Sequence, residues 1–111
     1  MKTANVFILL VSQELMHTFY FAEEEAVKGK FYDAIHAGGY KLASCGVIKV
    51  TGNFAGWGFA EEMFSLTNNP ARQKERELIY GNGRSLSVGD IVIVDGMAYG
   101  CAGAGWEPLY V

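Results

Sequence analysis

The chain has 111 residues, half of them apolar and 19% charged, with a formal net charge of -3. A single core is normally built from roughly 100 to 150 residues, so this length implies one domain, and the composition excludes the low-hydrophobicity, high-charge signature of disorder. The acidic balance disfavours a nucleic-acid partner, because sequence-independent affinity for phosphate comes from clustered Lys and Arg.

The two cysteines, Cys45 and Cys101, lie far apart and form no C-x-x-C pair. That pattern is neither a disulfide framework nor a zinc site, and points to reduced thiols in a cytoplasm. The apolar run Val6–Val11 is too short for the core of a signal peptide, and no segment approaches the roughly 20 apolar residues of a membrane span. A soluble, cytoplasmic protein without a membrane partner is expected.

In chain order, Val6–Val11 is rich in residues that favour sheets and is predicted to be an interior strand ending at Ser12–Glu14. The following run, Leu15–Ala22, contains Thr, Phe and Tyr and is expected to return as the second strand of a hairpin, with the opening of a long helix as the other reading. Over Glu23–Ala37, residues Ala26, Val27, Phe31, Ala34 and Ile35 make a helical stripe, with three glutamates in the first turn and Gly38–Gly39 as its stop. Tyr40–Gly52 alternates as a strand, with Ile48 and Val50 on one face.

A glycine-rich loop carrying Trp57 follows, then a short amphipathic helix over Phe59–Leu66 that ends at Thr67–Pro70. Asn69 and Pro70 suit the cap and first position of a further helix over the charged segment Ala71–Leu78, with a mobile excursion as the other reading. Tyr80–Arg84 is a turn. Ile91–Val94 is a strand, Asp95–Gly96 a hairpin turn, Met97–Cys101 the return strand, and Trp106–Tyr110 completes a meander. The predicted class is one α+β domain over residues 1–111: a small mixed or antiparallel sheet, two to three helices and a C-terminal β-meander. One internal echo, Ala55-Gly56-Trp57 and Ala104-Gly105-Trp106, is adequately explained by chance similarity among glycine-rich loops.

The stretch from Glu61 through the Thr67-Asn68-Asn69-Pro70 break to the Arg84-Ser85-Leu86-Ser87-Val88-Gly89-Asp90 strand motif and Leu109 resembles the YodL-type domains of small bacterial and phage proteins. The resemblance covers about residues 61–109; the charged insertion Ala71–Asn82 departs from it. It implies an intracellular bacterial, phage or plasmid setting and transfers no catalytic residue. An accessory role on a mobile element, interference with a host defence system among the options, is what it suggests.

Five residues are candidates for partner contact. Arg84 and Ser85 open the strand motif, where an arginine fork and outward serines form a recognition edge; the competing reading is a turn that pins the strand, which Gly-Asp chemistry favours. Trp57 and Trp106 suit an aromatic docking surface, against ordinary burial as core caps. Arg72 heads the only basic concentration, Arg72–Arg76, which Glu75 interrupts, as a solvated helix face does. His17, His36, Cys45 and Cys101 have neither ligand spacing nor an orienting third group, so no metal, cofactor or catalytic set is expected. Glu61 and Glu62 read as a solvated helix start. The expectation is a non-enzymatic binding protein with a protein partner. The alternatives are a nucleic-acid-binding module, which needs Trp57, Arg84 and the Arg72–Arg76 segment on one face, and a small enzyme, which needs His36, Cys45 or Cys101 to converge.

Overall fold

The computed structural model describes residues 1–110. Its spine is β1 (Lys2–Val11), a ten-residue strand hydrogen-bonded along both edges. On one edge it pairs with β3 (Ile48–Gly52) through its first half and with β2 (Tyr40–Leu42) through its second. On the other edge lies β4 (Ile91–Val94), followed by β5 (Met97–Ala102) and β6 (Gly105–Leu109). All six strands are antiparallel, and the C-terminal meander is present as expected.

Side chains alternate across a strand, and here both faces are apolar. Ala4, Val6, Ile8, Val92 and Val94 point to one side, where α3 (Gly58–Asn68) covers them with Phe59, Ala60, Met63 and Leu66. Val11, Ile91, Ala98 and Leu109 point to the other, beneath α1 (Gln13–Tyr20) and α2 (Val27–His36), which contribute Phe19, Val27, Phe31 and Ala34. The sheet is therefore the middle of three layers. Each fully buried large side chain contributes on the order of 2 kcal/mol of transfer free energy. Gly100 lets one of these contacts form: a Cβ there would sit 2.4 Å from Cζ of Phe31, so the ring rests directly on the strand backbone.

The expected hairpin over Leu15–Ala22 is instead helix α1. Both edges of β1 are already occupied, and Ser12 caps the helix by accepting a hydrogen bond from the Leu15 N–H. Leu15, Met16 and Phe19 then share the face packed against α2's side of the core. The strand expected over Tyr40–Gly52 is two strands. The chain leaves β2 at Ala43, turns through Gly46 in the left-handed region, and rejoins β1 at Ile48.

The remaining elements follow local signals. A 3-10 turn at Glu24–Ala26 leads into α2, and Gly38 follows it with φ 69. Asn69 accepts from the Ala71 N–H and Pro70 opens a 3-10 turn, after which α4 (Gln73–Ile79) runs beside α3. Asp95 and Gly96 both have positive φ, as a type I′ turn requires. The Asp95 carboxylate also accepts from the Asn5 N–H at 2.8 Å, tying the hairpin to β1.

Candidate functional site

The strand motif Arg84–Asp90 is a structural knot. Ser87 to Asp90 form a turn with Gly89 at φ 99, closed by the Asp90 N–H to the Ser87 carbonyl. The Asp90 side chain is fully buried and every acceptor site is used. It takes two bonds from the Arg84 guanidinium at 2.8 Å, one from the Ser87 N–H at 2.8 Å and one from the Val11 N–H at 2.9 Å. Arg84 also donates to the Val11 carbonyl, and the same carboxylate raises the Arg84 pKa further above its already high value. Burial without partners is costly for a charge, and here both charges are paired in full.

Arg76 holds the segment before the motif. Its guanidinium donates to the carbonyls of Thr67, Gly81 and Gly83 and to the Ser85 hydroxyl, and lies over the Tyr80 ring. Ser85 turns inward and donates to the Thr67 carbonyl at 2.7 Å. Arg72 is clamped between Glu62, at 2.7 and 2.9 Å, and Glu75. These carboxylates raise the Arg72 pKa, and Arg72 lowers that of Glu75. Thus all three arginines are engaged within the chain. Sequence spacing does not reveal these roles, because Arg76 is held mainly by backbone carbonyls and Arg72 and Arg84 reach Glu62 and Val11 far along the chain.

The two tryptophans, by contrast, line a common groove on the surface. Trp57, Trp106, Glu61, Ala104 and Gly105 line one groove of about 560 Å³. Trp57 precedes α3 and is 55% exposed, whereas Trp106, on β6, is partly buried. Trp106 donates its indole N–H to Glu61 Oε2 at 2.6 Å and packs at right angles to Phe64, 6.3 Å between ring centres. The two Ala-Gly-Trp segments thus converge on the same groove, each with its glycine at positive φ: Gly56 at 53 and Gly105 at 133. The echo noted in the sequence was the available signal. Glu61, read there as a solvated helix start, is the residue the sequence did not single out.

The thiols and imidazoles do not assemble. His17 and His36 are exposed on the α1–α2 layer, whereas Cys45 packs against the core on the α3 side. Cys101 is buried, and its thiol is pushed up to about 12 by burial first and then by Asp90 and Glu61. Among the described residues no group of three or more His, Cys, Asp or Glu is placed to hold a metal ion. No helix of the described residues is long and apolar enough to cross a membrane. No family model, curated protein or solved structure matches the chain.

Proposed function

We propose that the chain is a non-enzymatic binding module for a protein partner, and that the partner docks on the groove between the two Ala-Gly-Trp segments. The observation that carries this reading is Trp57, a large aromatic left more than half exposed beside a second tryptophan. Such side chains are enriched at the centres of protein interfaces because they desolvate a large area at low entropic cost. The internal engagement of Arg72, Arg76 and Arg84 supports a protein over a nucleic acid, since phosphate binding relies on arginines and lysines free to replace counterions. The resemblance to YodL-type domains supports a mobile-element setting, in which the module serves as an accessory factor, with inhibition of a host defence system as one role.

A photo-crosslinking residue at Ala104, on the exposed rim of the groove, tests the assignment against one at Leu78, which is 88% exposed on α4. A discrete protein adduct formed from position 104 and absent from position 78 is expected. Adducts from position 78 alone would move the interface to α4.

A further inference from the structure

We infer that the groove receives a cationic side chain of the partner, an arginine set against the tryptophans and paired with Glu61; this rests on the binding-module reading above. The groove holds a single charge, and it is negative: its lining is Trp57, Trp106, Glu61, Ala104 and Gly105. Glu61 takes part in no ion pair among the described residues. Its carboxylate accepts one hydrogen bond among the described residues, from the Trp106 indole to Oε2, which leaves Oε1 and a second lone pair of Oε2 for a donor from outside.

Each class of occupant meets this lining differently. A carboxylate or phosphate is repelled by Glu61. A purely apolar side chain covers the carboxylate and strips its water without replacing the lost hydrogen bonds, which is costly. A cation gains from both features, because tryptophan is the best aromatic partner for a positive charge and a carboxylate is its natural counterion. Between the two cationic side chains, the flat guanidinium fits better than the ammonium: it can stack on an indole while its edge donates to the carboxylate. The small residues Ala104 and Gly105 leave room along the groove for its aliphatic stem.

The test is a titration of the ¹⁵N-labelled full chain with a pentapeptide, capped at both ends, whose only charge is one central arginine, followed through the two indole N–H signals. The control peptide has citrulline in place of arginine, which keeps the shape and removes the charge. Saturable shifts of both indole signals with the arginine peptide are expected, weakened by added salt and several-fold smaller with citrulline. Trp57→Ala should abolish the response. Glu61→Gln, whose amide oxygen can still accept from Trp106, should weaken binding by about fivefold or more. Equal shifts with citrulline, no shift with arginine, or an unaffected Glu61→Gln variant would overturn the inference. Crosslinking of a protein through position 104 that persists in Glu61→Gln would leave the binding-module reading standing while the cationic occupant fails; loss of crosslinking in the unaltered groove would remove both.

Discussion

Arg84 and Asp90 meet as fork and carboxylate, Nη1 to Oδ2 and Nη2 to Oδ1 at 2.8 Å each, where Asp90 has no solvent exposure. Because Asp90 also accepts from Val11 at the end of β1 and from Ser87 in the preceding turn, one side chain joins three segments. The motif positions β4 against β1 and describes a fold. Asp90→Ala should therefore lower stability by about 4 kcal/mol, and Arg84→Met by a similar amount because it strands a buried carboxylate. The double variant should cost less than the sum of the two. Urea unfolding with an unchanged m-value checks all three.

Arg76 should behave as a cap that lysine cannot replace. Its guanidinium reaches three carbonyls in different directions, and an ammonium on a flexible stem cannot satisfy all of them. Arg76→Ala should cost about 2 kcal/mol, and Arg76→Lys should recover less than half of that in the same unfolding measurement.

Gly89 combines a left-handed backbone with contact: a Cβ there would lie 2.8 Å from Cδ2 of Phe19. Gly89→Ala should be destabilising by about 2 kcal/mol or more, with the thermal midpoint as the readout. Gly29, on α2 with open space around it, is the internal contrast. Gly29→Ala should leave stability unchanged or raise it by up to about 1 kcal/mol.

Cys101 gives a pH dependence of definite sign. Its folded thiol holds its proton up to about 12, while the unfolded thiol releases it from about 9 upward, so between these values the unfolded chain binds fewer protons. Stability from this group is complete below pH 9 and declines as the pH rises through that window. Tyr40, whose pKa is also raised by burial and then by Asp90, acts in the same direction at higher pH. The decline should shrink in Cys101→Ala. At pH 8 a thiol reagent should leave Cys101 unlabelled in the native chain and label it in urea.

What the sequence made legible was local. The Asp95–Gly96 turn, the Asn69–Pro70 start and the stripe of α2 each rest on neighbours within a few residues, and each is present. Leu15–Ala22 forms a helix rather than the expected hairpin strand because the Ser12 cap outweighs the sheet preference of Thr18, Phe19 and Tyr20, and because occupancy of both edges of β1 is a tertiary fact. The split of Tyr40–Gly52 depends on a turn at Gly46 that alternation does not reveal. In the candidate site, Trp57 and Trp106 were visible as aromatics in glycine-rich settings. Glu61 was not, since its bond to Trp106 spans 45 positions and no local pattern encodes it.

Trp57 itself should contribute little to folding. Half-exposed and outside the two core clusters, it should change stability by no more than about 0.5 kcal/mol when replaced by alanine, which circular dichroism during thermal unfolding can verify.

That separation of stability from binding makes one comparison decisive: affinity capture from bacterial lysate by the unaltered chain and by Trp57→Ala, each with and without nuclease, read by mass spectrometry. A protein recovered by the unaltered chain, indifferent to nuclease and lost with Trp57→Ala, is the predicted result. Equal recovery by both chains, or a partner that disappears with nuclease, would contradict the account.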